Sequence, residues 1–363
     1  MFVTSLSGKR LNRFMMASVL ASKEIGYEFH LACNTNNSNK FLYAKDCRKH
    51  GVILHHIDFN RNPINFANIK AFFQLIQLLR EKFDIIHTNT PIGGLLGRIV
   101  SIGFKIKVIY TAHGFHFYKG SPLFNWLFFY PVEFLLSFFT DVLITINNED
   151  FETSKRLKAK SNYYVPGVGY EISSIARNNN KDSISKKVRL ISVGELNSNK
   201  NHEIVIKAIS NFNNVEYYIC GEGDKRSKLE KLIKLLGLTK VIKLLGYRTD
   251  VKDLLNKSHI FVFPSIREGL PISIMEAMDA GLPCVVSNIR GNRDLIDSNG
   301  GFLFNDVDGL FFGLKKLIND SNLRSKMGSY NKERLKHFSI EKVIRFHVDL
   351  YKSLGGYNEK IVG

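Results

Sequence analysis

The sequence is poor in cysteine, and the four it has (Cys33, Cys47, Cys220 and Cys284) lie far apart with no Cys-x-x-Cys pair. That spacing argues against a zinc site or a disulfide framework, and four unpaired thiols suit a reducing cytosol. Acidic residues are also scarce: 33 Asp and Glu against 51 Lys and Arg leave a formal charge of +18. A chain so basic suits an anionic partner, whether nucleic acid, a phosphate-bearing small molecule or an acidic membrane face, or simply carries a soluble basic surface. The basic residues are spread out with no nucleic-acid-binding motif beside them, which counts against nucleic acid. There is no short-period repeat and no long low-complexity tract. The opening "MFVTSLSGKR" has neither a basic leader nor a long apolar run, so no signal peptide is expected. The cytoplasm is the expected compartment.

A clean membrane span, which needs about 20 apolar residues, is missing as well. The nearest approach is "PLFNWLFFYPVEFLLSFF" at 122–139, interrupted by Asn125, Pro131, Glu133 and Ser137. It reads either as a helix buried in a domain core or as an aromatic surface that dips into lipid headgroups, with the basic charge holding it there.

What is present is a folded composition, 44% hydrophobic and 23% charged. A chain of 363 residues exceeds one ordinary core and predicts two domains of roughly 150–180 residues. Apolar runs of strand length occur at 1–4, 28–33, 52–57, 84–88, 106–111 and 141–146. Helical periodicity fills several gaps, as in "NIKAFFQLIQLLREKF" at 68–83. This rhythm predicts an α/β fold, a doubly wound parallel sheet with helices on both faces. It stops at the polar stretch 171–187, and a second series begins after it at 188–194, 215–221, 241–246, 260–264 and 283–287. The expected division is a Rossmann-like domain over 1–170, a linker at 171–187, a second such domain over 188–338, and a helix in 339–363. Ser339 is a plausible N-cap for that helix, which is expected to dock back on the first domain.

Ligands of open parallel sheets sit beyond the carboxyl ends of the strands, and two such domains face to face would form a cleft there. Gly8, in the first such turn, lets the backbone approach a phosphate at a helix start. The second and third glycines of a dinucleotide fingerprint are missing, which disfavours a nicotinamide or flavin enzyme. His113, in "YTAHGFHFYKGSP", is placed at a strand end to hydrogen-bond a sugar hydroxyl or a departing phosphate, although a structural role is as good a reading. His116, Tyr118 and Lys119 share its loop. Gly194 ends a strand, and Lys200 stands just before the next helix as a point charge for a diphosphate. Gly246, Tyr247 and Arg248 come after a strand where a nucleobase edge could be read, with Asp250 able to cap the next helix. In "REGLPISIMEAMDAGLPCVVS", Glu268 lies in a loop and Glu276 about one turn into a helix that stops at Gly281. The free N–H groups at 270–273 suit a phosphate, and a carboxylate accepts two hydrogen bonds from a vicinal diol. Together these groups suit a sugar–diphosphate–nucleoside. Asp306 and Asp308, in "NDVDG", read as a helix cap rather than a metal site.

The Glu-x7-Glu pattern, with "TAHG", "VGELNSNKN", "GYRTDV" and the closing "FSIEKV" in this order, resembles the retaining glycosyltransferases of family 4, which have the GT-B fold. The segment 110–150 is similar to the branch that builds bacterial capsular, exopolysaccharide or O-antigen chains on a lipid carrier. The resemblance implies that Glu276 holds the donor ribose and Glu268 the hydroxyls of the transferring sugar. It places the Gly269, Leu270 and Pro271 backbone by the sugar and phosphates, Lys200 on the leaving diphosphate and His113 by the reacting carbon. Tyr247 and Arg248 would sit by the base, and Gly8 by the phosphates. It implies a UDP-sugar donor, a polyprenyl-diphosphate-linked glycan acceptor, no cofactor or metal, and a place on the inner face of the cell membrane. Glu195 departs from the pattern, since the family often has arginine there. Two other activities fit the same ligand: a nucleotide-sugar epimerase on this frame, or an inactive binding partner in a polysaccharide assembly complex.

Overall fold

The computed structural model describes residues 1–5, 11–36, 40–173 and 187–355. The chain forms two compact units, one of Met1–Gly169 with the residues from Phe338 onward, the other of Tyr170–His337. Gly8 and most of the 171–187 stretch lie outside the described residues.

The first unit is built on seven parallel strands in the order β3-β2-β1-β4-β5-β6-β7. In chain order they are β1 (Phe2–Val3), β2 (Phe29–Cys33), β3 (Val52–His56), β4 (Ile85–Asn89), β5 (Lys107–Ala112), β6 (Val142–Thr145) and β7 (Ser161–Tyr164). The second unit orders six parallel strands β10-β9-β8-β11-β12-β13. These are β8 (Val188–Val193), β9 (Val215–Cys220), β10 (Ile242–Gly246), β11 (Ile260–Phe263), β12 (Cys284–Ser287) and β13 (Gly301–Phe304). Central strands such as β11, "IFVF", are buried on both faces, so they read as continuous apolar runs. Two edge strands went unread in the sequence. β7, "SNYY", is polar and only partly buried, and β13 is four residues that come after a glycine-rich turn.

One helix is set close against the first sheet by its glycines. In Pro91–Ser101, a Cβ on Gly94 would lie 2.6 Å from the Tyr110 ring, and one on Gly97 would lie 2.5 Å from the Thr88 methyl. Arg98 of this helix is buried, with its guanidinium 3.8 Å over the Tyr110 ring and Nη1 donating to Glu133 at 2.8 Å. Glu133 belongs to the helix Leu123–Ser137, so this ion pair ties that helix to the sheet.

The last helix, Ile340–Leu354, packs in the first unit against the helix Arg13–Glu24, burying Val343, Val348 and Leu350 with Ala17 and Ala21. Gly169 permits the return: a Cβ there would lie 2.8 Å from the Ile340 backbone. The Tyr351 hydroxyl reaches His87 Nδ1 of β4 at 2.8 Å. Ser339 occupies the N-cap position, but its side chain makes no cap hydrogen bond, a correction to the expected capping role.

Candidate functional site

In the second unit, glycines stand at three neighbouring strand ends. Gly194 comes directly after β8, Gly221 directly after β9, and Gly246 ends β10. A Cβ on Gly221 would come within 1.9 Å of the Gly194 carbonyl oxygen, and the Gly221 N–H donates to Gly246 O at 2.8 Å. The backbones close together at the carboxyl edge of the sheet. Gly194 also makes room for Lys200, whose Cε would lie 3.2 Å from a Cβ there.

Lys200 sits just before the helix His202–Ile209, held by an N–H bond to Asn197 Oδ1 at 3.0 Å. Its Nζ lies 4.7 Å from the Phe263 ring centre and donates to Glu268 Oε1 at 2.6 Å. Both side chains are mostly buried, 19% and 15% exposed. One of the three ammonium hydrogens is thus engaged by Glu268, and the others remain for a further anion. The loop that carries Glu268 is tied to the Lys200 loop, with Ile266 N donating to Asn199 O at 2.8 Å and Asn199 Nδ2 to Arg267 O at 3.0 Å. Gly269 and Leu270 then lead to Pro271, the N-cap of the helix Ile272–Asp279. No side chain caps this helix, so its first N–H groups are not taken up by a cap. Glu276 is half-buried one turn in, and Gly281 (φ +62°) ends the helix.

Other sequence candidates in this unit lie farther along the edge. Tyr247 is 80% exposed. Arg248 does not stand open: its Nε and Nη2 form a bidentate pair with Asp250 at 2.8 and 2.7 Å. Asp250 therefore makes no side-chain cap for the next helix, contrary to expectation. Asp306 does cap, accepting from Gly309 N at 2.8 Å. Glu195 is exposed and accepts from Asn197 Nδ2 at 3.0 Å.

In the first unit, His113 stands just past β5. Its Nε2 donates to Asn89 Oδ1 at 2.6 Å, and Phe14 meets its ring edge-on at 4.8 Å. Burial pushes its pKa down to about 4, so the imidazole is neutral near pH 7. Nδ1 is buried and has no partner among the described residues. His113 borders a cavity of 510 Å³, whose opposite wall is the helix Leu123–Ser137. His116 stacks on Phe129 of that helix at 4.6 Å, and Lys119 is exposed. The helix is not the wholly buried one that one reading of 122–139 expected. Trp126, Phe129, Tyr130 and Phe134 face the core with Phe115 and Phe117, while Leu123, Phe124, Leu127 and Phe128 are at least 60% exposed. No helix among the described residues is long and apolar enough to cross a membrane.

Two family models match the chain: "Glycosyl transferase 4-like" over residues 6–147 and "Glycosyl transferases group 1" over 175–334. The chain is 30% identical to "Putative glycosyltransferase EpsD" of Bacillus subtilis (strain 168), across 91% of this chain and 90% of the relative. The chain belongs to the glycosyltransferases. It is also 31% identical, over 80% of this chain and 81% of the relative, to the Escherichia coli "UDP-Gal:alpha-D-GlcNAc-diphosphoundecaprenol alpha-1,3-galactosyltransferase". Among solved structures, Anabaena Alr3699/HepE in complex with UDP matches at TM-score 0.78 and 17% identity, over 97% of this chain and 98% of the other. The glycosyltransferase thus has the GT-B fold.

Lys200, Glu268 and Gly194 come together in the second unit, beside the start of the Glu276 helix. His113 belongs to the first unit. The sequence reading missed the brace behind Glu268 in this glycosyltransferase. Buried Arg290 donates from Nε to the Glu268 carbonyl at 3.2 Å. Its neighbour Gly291 (φ +76°) lies so close that a Cβ would be 2.3 Å from Gly269 O. The signal was available: "NIRGN" comes directly after β12, the next strand after the Glu268 loop's own.

Proposed function

We propose that this glycosyltransferase moves a hexose or N-acetylhexosamine, with retention of configuration, from a UDP-sugar to a glycan carried on a polyprenyl diphosphate. The setting would be assembly of a surface polysaccharide at the inner face of the cell membrane, where the chain is a peripheral protein. The observation that carries this reading is the Lys200–Glu268 pair at 2.6 Å beside an uncapped helix start.

A leaving UDP gains charge as the sugar departs, and the largest catalytic effect is to stabilise that charge in place. Lys200 supplies a cation held by Glu268 and Phe263, and the N–H groups at Ile272 and Ser273 supply dipoles. Protein groups then do the work of a metal. Glu268 and Glu276 take the sugar and ribose hydroxyls, with Gly269, Leu270 and Pro271 close to the phosphates. Tyr247 and Arg248 lie toward the base, and Gly194 leaves the backbone open to the phosphates. Neutral His113, whose Nε2–H is held by Asn89, has only the Nδ1 lone pair left and accepts a hydrogen bond at the sugar without adding charge. The leaving diphosphate guides attack on its own face, so no carboxylate nucleophile is required. The donor and acceptor classes are supported by the names of the E. coli relative and of the Anabaena complex. The membrane setting is supported by the +18 charge and the exposed face of the helix Leu123–Ser137.

The test is release of nucleoside diphosphate from a panel of nucleotide-sugars, with and without a lipid extract. Release that needs the lipid and a product that retains the anomeric configuration are expected. Isomerisation of the donor without any acceptor would replace this reading with an epimerase.

A further inference from the structure

We infer that the 510 Å³ cavity of the first unit is a seat for the apolar chain of the acceptor's lipid, next to its junction with the polar head. This inference rests on the reading of a lipid-linked acceptor. The cavity has the size of a ligand pocket, and Ile92, Leu95, Phe129, Val132 and Leu136 are among the apolar residues of its wall. Its polar lining is divided: Asn12 Oδ1, Asn89 Nδ2 and His113 Nδ1 are buried with no hydrogen-bond partner among the described residues, while other groups are engaged. Glu133 is held by Arg98 and by the Tyr110 hydroxyl at 3.3 Å, and His113 Nε2 by Asn89. A sugar seated among Ile92, Leu95, Val132 and Leu136 would leave its hydroxyls unpaired, at a cost of about 1–3 kcal/mol each, whereas a hydrocarbon chain has none to satisfy. The open atoms of Asn12, Asn89 and His113 suit the polar head.

The rim points the same way. Phe128 and Val132 line the cavity yet are 60% and 39% exposed, so the cavity is continuous with the bare face of the helix Leu123–Ser137. Pro63 lines it too, and the chain next to Pro63 exposes Ile64 at 87% and Phe66 at 83%. Two ridges far apart in sequence thus carry exposed apolar side chains beside one apolar cavity. A soluble protein partner calls for a polar rim around an apolar centre, while a chain drawn from a bilayer calls for apolar groups at the entrance itself. Asn89, Thr90 and His113, at the strand ends, and Arg61, a cation, also line it. A ligand with an apolar tail and an anionic head matches that division.

The test uses the full chain with acceptors that share a diphosphate-linked sugar head and carry a methyl, a farnesyl or a full polyprenyl tail. For the wild type, acceptor KM should fall at least about tenfold from methyl to farnesyl, as a few buried CH₂ groups require. Val132→Trp, at the rim, and Leu95→Trp, deeper in, should each raise the farnesyl KM about tenfold and leave the methyl-tailed KM and the donor KM unchanged. Thermal melts identify a variant that misfolds, and the other then carries the test. Equal KM for all tails, or variants that weaken both tails alike, would overturn the inference. Binding of dansyl-labelled farnesyl diphosphate separates it from the functional reading. Binding to wild type that is lost in Val132→Trp, without turnover of any lipid-linked acceptor, would sink the function and keep the cavity. Turnover that ignores the tail, with no probe binding, would do the reverse.

Discussion

At its strand ends the second unit presents charge, with Lys200 and Glu268 paired at 2.6 Å over Phe263, whereas the first presents a neutral histidine beside an apolar cavity. The surfaces differ in the same sense. Most of the large apolar side chains exposed among the described residues belong to the first unit, with runs at 64–73 and 123–139. The sheets themselves are alike, parallel and covered by helices, so the β-α winding does not make the difference. The segments at the carboxyl ends of the strands do: short glycine turns and charged loops in one unit, and a single aromatic helix in the other. One winding plan can therefore carry a charged pair at one set of strand ends and an apolar cavity at another.

The comparison breaks most sharply at Lys200. If its charge serves a leaving diphosphate, Lys200→Ala should lower kcat by about 10²–10³ with little change in melting temperature. Glu268→Gln, which keeps a hydrogen-bond acceptor for Nζ, should cost less. A variant that loses stability in proportion to activity would mean that the pair only holds the two loops together. Gly291→Ala tests the brace next. A Cβ 2.3 Å from Gly269 O must shift the Glu268 loop, and φ +76° already strains any side chain. A fall of about tenfold or more in kcat/KM is expected, with a displacement near the reacting sugar as its cause. Unchanged kinetics would show that the loop position is slack.

The same contrast explains what the sequence could reveal. Lys200, Glu268, Glu276 and His113 were legible because each stands shortly after a strand or near the start of a helix, and buried parallel strands announce themselves as apolar runs. Arg290 also follows a strand but was passed over, because it acts through the Glu268 carbonyl and no spacing rule links positions 268 and 290. The Asp250 cap was misjudged for a local reason: its carboxylate is taken up by Arg248, two residues earlier. The helix at 123–137 is the instructive failure. Its apolar residues run almost all round, so periodicity gives no inner face. Which side is bare is fixed by tertiary contacts, Glu133 pairing with Arg98 of the helix Pro91–Ser101 and with Tyr110 of the sheet.

A milder effect is expected on that bare side. Glutamate at Phe124, Leu127 or Phe128 removes exposed apolar area and adds a like charge to an anionic surface. Cosedimentation with vesicles containing acidic lipid should fall several-fold per substitution, since a side chain partly withdrawn from water gains only a fraction of the full-burial value of about 1.5–3 kcal/mol. Tyr247→Glu, an equally exposed aromatic in the second unit, should leave cosedimentation unchanged. Equal losses from both units would erase the distinction between the two surfaces.

The smallest effect is one of acidity. Burial lowers the pKa of His113 and His347 to about 4 and holds His87 well below its ordinary value, all in the first unit. In the second unit, burial and then the Lys200 charge bring His202 to about 4. An unfolded chain binds these protons near pH 6.5. Above that pH neither state is protonated, and stability is level. Between pH 6.5 and 4 the unfolded state takes up protons that the folded state refuses, so stability falls with pH, by up to about 1.4 kcal/mol per pH unit for each histidine. With His55 also lowered by burial in the first unit, four such groups against one predict that calorimetry will show the first unit's transition moving to lower temperature faster than the second's between pH 6.5 and 5. His347→Gln should narrow that gap if the buried imidazoles cause it. If both transitions shift in parallel, acid sensitivity is spread over the whole chain, and the neutral histidines of the first unit set nothing apart.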